Sequence, residues 1–266
     1  MNFSVLNPYM PMFWSGLLTT VVVTGAALVL AFALGAVIAL LKVLPIRWLR
    51  ALLDFYTSIF RGIPLIVLLF IAYFATPQLT GYKITMFAAS VLTLGLNGSA
   101  TVSETLRGGI QGVDRGQYDA ARALGLPYGK MMAKIILPEA LRSVAPALVN
   151  EVITVLKSSS LVATIGLADM MRAAESVQAL TYRAFEPFIF VAVIYYIIVM
   201  ILVHISKRLE KKLREAYYSC RADRNLLASG QDRSRRSCPL SCSVLLPATP
   251  RRHLPNRSPF PGRQSR

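Results

Sequence analysis

Cysteine is absent from the first 219 residues of this 266-residue chain; the three present are Cys220, Cys238 and Cys242. A disulfide framework is therefore excluded for the body of the protein. Histidine is almost as scarce, with only His204 and His253. No cluster has the spacing of a metal site, so no bound metal is expected. Charged residues make up only 16% of the chain, against about 25% in a typical soluble domain. That deficit excludes disorder for most of the chain and argues against an ordinary soluble enzyme. The phosphate-binding pattern Gly-x-x-x-x-Gly-Lys-Ser/Thr is missing. Its nearest imitation, residues 125–131, has the wrong glycine spacing and no hydroxyl for magnesium. No Gly-x-Ser-x-Gly occurs either. The chain therefore reads as a non-enzyme with no ATPase site and no cofactor of its own.

What remains is apolar. Hydrophobic residues reach 55% and mean hydropathy is +0.52. A membrane-crossing helix needs about 20 mostly apolar residues, and five segments qualify. They are residues 13–41, 52–74, 84–103, 144–165 and 187–205. The second is breakable at Gly62-Ile63-Pro64, and the fourth carries Glu151 and Lys157. The first is long enough either to tilt or to start late. It is no signal peptide, because no Lys or Arg precedes it. The fold class is thus all-α, a polytopic membrane protein of five transmembrane helices.

Charge sets the expected orientation. Counting loops alternately, 15 basic residues of the body fall on one side and 4 on the other. By the positive-inside rule, the N-terminus (1–12) lies outside the cell and the C-terminus in the cytoplasm. Residues 220–266 differ from the transmembrane body, 13–219. They hold 10 Arg, no Lys and 6 of the 15 prolines. Such a segment buries too little apolar surface to order itself and reads as a disordered tail. A basic arm for anionic lipid or nucleic acid is the alternative; no nucleic-acid partner is expected.

The loop 104–142 is long for a connector. Within it, residues 119–124 favour helix, Gly125 is a fitting stop, and Pro127 opens another turn. Residues 131–137 read as a second short helix, with a break at Pro138. Two readings are open: an amphipathic hairpin lying on the lipid surface, or a docking knob for a cytosolic protein.

Asp119-Ala120-Ala121, then Gly125, Ile135, Leu137 and Pro138, resembles the EAA signature of permease subunits of ATP-binding-cassette importers. The family pattern is Glu-Ala-Ala, three residues, Gly, nine residues, Ile, one residue, Leu-Pro. This chain matches the spacing throughout, with Asp119 in place of Glu. Three further stretches resemble the polar amino-acid branch, of histidine, glutamine and arginine type: 60–65, 104–111 and 156–161. The likeness covers roughly residues 12–215. It implies a subunit of a bacterial inner-membrane importer, paired with a second permease, the same or related. It also implies a cytosolic ATPase dimer that uses ATP and magnesium, and an extracytoplasmic substrate-binding protein. The loop, including Leu126 and Pro127, would then be the coupling segment.

Charged and polar groups at membrane depth usually mark a pathway or a partner contact. Glu151 either holds the amine of an amino acid or makes an internal ion pair. Asn97 and Ser99 either bind substrate or line a close helix contact. Arg61 either faces the pathway or snorkels to headgroups. Glu104 and Arg107, three apart, are expected to pair. Lys157 and Ser158 are counted with the pathway. An intramembrane hydrolase using a Ser–Lys pair is an alternative. An ion-coupled carrier is a weaker one, since no internal repeat is seen.

Overall fold

The computed structural model describes residues 3–228, and every element among them is helical. A 3-10 turn, Phe3–Tyr9, leads into α1 (Met10–Val43), with a proline at its start where the missing N–H costs nothing. α1 does not start late. Leu6 and Phe13 anchor its beginning in a cluster with Met170, Ala174 and Val177. Its 34 residues span about 51 Å, well beyond a hydrocarbon layer of about 30 Å. The helix is apolar nearly all round, and small residues dominate its buried stripe, among them Gly16, Thr20, Ala27, Ala31 and Gly35. Beyond Thr20 that stripe receives α4 (Met86–Gln111). A Cβ on Gly35 would stand 2.7 Å from Val102 Cγ1, and one on Gly95 would stand 2.6 Å from Leu30 Cδ2. The glycines are thus what lets the two backbones approach.

The second predicted span is two helices. α2 (Arg47–Gly62) and α3 (Leu65–Thr80) meet at 102°. Pro64 has no N–H to continue the helix and holds Ile63 extended (φ −94°, ψ 134°). α2 begins five residues earlier than expected and is amphipathic, so Asp54 and Arg61 do not interrupt an apolar helix. α4 is capped by Thr85, whose Oγ1 accepts from Ala88 N–H at 3.2 Å. It runs eight residues past the predicted end because Glu104, Arg107 and Gln111 satisfy one another along it.

α5 (Arg115–Ala123) starts on an Asp114 cap that accepts from Gly116 N–H at 2.6 Å. It stops before Gly125, which takes φ +68°. α6 then runs without interruption through Tyr128–Ile165. The expected break at Pro138 is absent. A π turn, Met132–Ile136, precedes it and relieves the clash a proline makes with the previous turn. The second short loop helix is therefore the start of the fourth span. α7 (Met170–Thr181), unforeseen in the sequence, lies between α6 and α8 (Phe185–Ala228). Of the aromatic residues at the start of α8, Phe188, Phe190 and Tyr195 pack on the cluster around Phe13, while Phe185 and Tyr196 are exposed.

Among the described residues, four helices are long and apolar enough to cross a membrane, or five if the bent α2–α3 pair counts as one span. α8 continues through residues 220–228, so the boundary expected at 219/220 falls inside a helix. Residues 229–266 lie outside the described residues, and with them most of the segment read as a disordered tail.

Candidate functional site: a polar seam and an exposed helical corner

Two places gather the residues singled out in the sequence. The first is the corner formed by α5 and the start of α6. One face of α5 is core: Gln117 and Ala121 are buried, Ala121 against Met131, Ile135 and Ile136. The Tyr118 hydroxyl donates to Ile110 O at 3.0 Å and fastens α5 to the end of α4. Burial and the neighbouring Tyr128 push the Tyr118 phenol above its usual range. The other face is bare. Asp119, Ala120, Ala123, Gly125 and Pro127 are exposed. So is Leu124, at 76%, a large apolar side chain at the tip that the motif does not include. Leu126 is half-buried beneath it, as are Leu137 and Pro138 at the base. A cavity of 660 Å³ beside the corner is lined by Gln111, Val113, Arg115, Tyr118, Asp119 and Arg122. The signature thus divides: Ala121 and Ile135 hold the corner together, while Asp119, Ala120 and Gly125 form its outer surface. A hairpin flat on lipid would need a continuous apolar outer face. Here that face carries Asp119, Arg122 and Lys130.

The second place is a seam joining α2, α4 and α6. Asn97 Nδ2 donates to Phe60 O at 2.6 Å, at the carbonyl end of α2 just before the bend. The Tyr56 hydroxyl meets Ser99 Oγ at 2.7 Å and Leu96 O at 3.1 Å. Ser99 is fully buried. Glu151 is 9% exposed and makes no ion pair among the described residues. Its Oε1 would lie 3.8 Å from a Cβ on Gly98, and Arg61 follows Phe60 at the α2 end of the seam. Asn97, Ser99, Glu151 and Arg61 are therefore brought together. Tyr56, unremarked in the sequence, joins them; its signal was an aromatic hydroxyl on the inner face of an amphipathic helix.

Lys157 stands apart. It lines a separate 520 Å³ groove with Ser160, Met171, Phe188 and Tyr195, away from the Glu151 seam. Ser159 and Ser160 donate to carbonyls of their own helix, Leu156 O and Lys157 O, and Ser158 is half-buried. No Ser–Lys hydrogen bond forms among the described residues, so the hydrolase alternative finds no support. Glu104 and Arg107 pair as expected, at 2.6 Å. Asp169, just before α7, does not face solvent. It is fully buried and caps α7 through Oδ1, which accepts from Arg172 N–H at 2.8 Å.

Bundle, seam and projecting corner together define a multispanning α-helical membrane transport subunit. Residues 31–215 match the model of the binding-protein-dependent transport system inner membrane component family, and the chain belongs to that family. It is 45% identical over 214 residues to the arginine transport system permease protein ArtQ of Bacillus subtilis (strain 168). That alignment covers 80% of this chain and 98% of the relative. A putative glutamine transport system permease protein GlnP of Rickettsia bellii is 44% identical over 198 residues, covering 74% and 91%. Among solved structures, a chain of an amino acid ABC transporter crystallised with histidines superposes with a TM-score of 0.76 at 38% identity. That match covers 80% of this chain and 99% of the other. A chain of the MetNI methionine ABC transporter matches at 0.67 and 22% identity, which speaks to the fold alone.

Proposed function

We propose that this chain carries polar amino acids through the bacterial inner membrane as the permease of an ATP-driven importer. The observation that carries the substrate reading is Glu151: a buried carboxylate in a polar seam, with no cation bonded to it among the described residues. A buried charge is costly unless paired, and the ammonium group of an amino acid is the missing partner. Asn97 and Ser99 line the same route, and Arg61 is suited to the substrate carboxylate. The relatives are named for arginine and glutamine transport, in keeping with a cationic or zwitterionic substrate.

The exposed corner is the docking element. Asp119, Ala120, Leu124, Gly125 and Pro127 present a short helix end with one acid and one apolar knob, a shape for a groove in a cytosolic ATPase. That ATPase, as a dimer, binds the ATP and magnesium; this chain binds neither. A second permease completes the pathway, and an extracytoplasmic binding protein delivers the substrate. The N-terminus lies outside and the corner inside.

The test is uptake of twenty labelled amino acids into liposomes holding the assembled importer. One class of polar amino acid is expected to accumulate with ATP. In Glu151→Gln that uptake falls at least about tenfold, since a buried charge-assisted contact is worth 1.5–3 kcal/mol. Uptake unchanged by Glu151→Gln refutes the site.

A further inference from the structure

Lys42, in the last turn of α1, is the largest fully buried side chain among the described residues; none of the side chain is exposed. Its ammonium has three N–H donors, and each has an acceptor on another helix. Two are on α2: Asp54 Oδ1 at 2.8 Å and Thr57 Oγ1 at 2.8 Å. The third is Glu104 Oε1 on α4, at 2.6 Å. The other oxygen of Glu104 is held by the fork of Arg107 at 2.6 and 3.0 Å. Arg50 closes the α1–α2 turn from outside by donating to Lys42 O and Leu44 O.

A buried ammonium is a poor way to gain stability. Desolvation offsets most of what the pairing returns, and an apolar side chain of similar volume often serves as well. What apolar packing lacks is a fixed register, because it tolerates sliding. A three-way ionic node does not tolerate it: α1, α2 and α4 fit together in one alignment only.

The node also lies where motion would pass. Glu104 is two turns from the end of α4. α5 follows after three residues and is fastened back by Tyr118 to Ile110 O. In the other direction α2 runs from the node to the 102° bend, where Asn97 holds Phe60 O. α2 is thus tied to α4 at two levels, through Lys42 at its middle and by Asn97 near its finish.

We infer that Lys42 is a positioning residue for coupling: with Asp54 and Glu104 it makes α1, α2 and α4 move as one body, so that displacement of α5 reaches the bend beside the Glu151 seam. This rests on the importer reading above. Lys42 touches no substrate.

The experiment uses the assembled importer in liposomes and reads amino-acid uptake and ATP hydrolysis together. Lys42→Met keeps the volume and removes the charge. The acids it leaves are not stranded, since Asp54 is half exposed and Glu104 keeps Arg107. The expected result is a fall of about tenfold in amino acid moved per ATP, a coupling loss of ordinary size. ATP hydrolysis and co-purification of the ATPase are retained. Glu104→Gln shows the same fall, and the double variant falls no further, because the two act as one unit. Unchanged uptake per ATP in Lys42→Met, or independent falls that multiply in the double variant, overturns the inference. So does loss of assembly in both single variants, which would make the node a folding element only. Absence of ATP-driven uptake in the unaltered importer would instead count against the importer reading.

Discussion

Asp169 shows how far a single residue departs from the environment its sequence position implies. It follows Gly166-Leu167-Ala168 in what reads as an exposed loop, yet it is fully buried. The reason is the glycine at position 16. A Cβ there would stand 2.8 Å from Asp169 O, so only glycine lets α1 accept this backbone. Thr20 helps, accepting from Met170 N–H at 3.2 Å. Oδ1 caps α7, but Oδ2 is buried with no hydrogen-bond partner. Desolvation therefore outweighs the backbone N–H groups that favour the anion, and Glu175 adds to it, raising the carboxyl from 3.8 to about 6. The folded form holds its proton more tightly than the unfolded form. The resulting stabilisation is complete below about pH 4 and is lost as pH rises through about 6, a loss on the order of 3 kcal/mol. Asp169→Asn keeps the capping oxygen and carries no charge. Its apparent Tm in detergent, set against the unaltered protein, is expected to match near pH 4 and to be higher at pH 7.5. An Asp169→Asn difference that does not change with pH would contradict this.

At the scale of elements, the long apolar helices were legible because membrane depth imposes a length and a hydropathy that few other folds require. The bend at Pro64 was legible because proline removes a donor wherever it sits. Pro138 misled because its steric effect depends on the turn before it, and a π turn leaves no mark in composition. α7 was missed because its apolar face, Met170, Ala173, Ala174 and Val177, is short and interleaved with polar residues. The seam was legible only in part. Polarity at membrane depth brought out Asn97, Ser99 and Glu151, but no local pattern shows that Tyr56, forty residues away from Leu96, would reach it. Nor does it show that Lys157 would face away. α5 has a comparable division, because a spacing motif does not say which members face in. The inward members, Ala121 and Ile135, are structural. The outward knob is Leu124, and a few side chains that become packed and desolvated near the centre of an interface carry most of its energy. Leu124→Asp is expected to weaken association with the ATPase by about 2 kcal/mol, some thirtyfold in affinity. The permease itself should keep its Tm, since the side chain touches little of its own protein. Titration of the ATPase against both forms measures this, and equal affinity would remove Leu124 from the interface.

The whole molecule has a polarity that its absences make testable. One end of the bundle carries the Phe3–Tyr9 turn, α7 and the cluster around Phe13; the other carries the corner and the Lys42 node. The positive-inside rule acts on short loops, and the basic residues 107, 115, 122, 130, 134 and 142 all belong to the corner end. If that end faces the cytoplasm, a thiol placed there is hidden from a reagent that cannot cross the membrane. The body has no cysteine, so replacing Cys220, Cys238 and Cys242 leaves a clean background. Leu124→Cys and Tyr182→Cys then report on opposite ends, at positions 76% and 94% exposed. Tyr182 also sits in the left-handed region (φ 57°) at the end of α7, a turn that ordinary side chains tolerate at modest cost. In intact cells the thiol at 182 is expected to react with an impermeant maleimide and the thiol at 124 to stay unlabelled. Permeabilising the cells should expose the second. Because ATP is cytosolic, labelling at 124 from outside would separate the corner from any ATP-driven partner, and the coupling assigned to α5 would fall with the orientation.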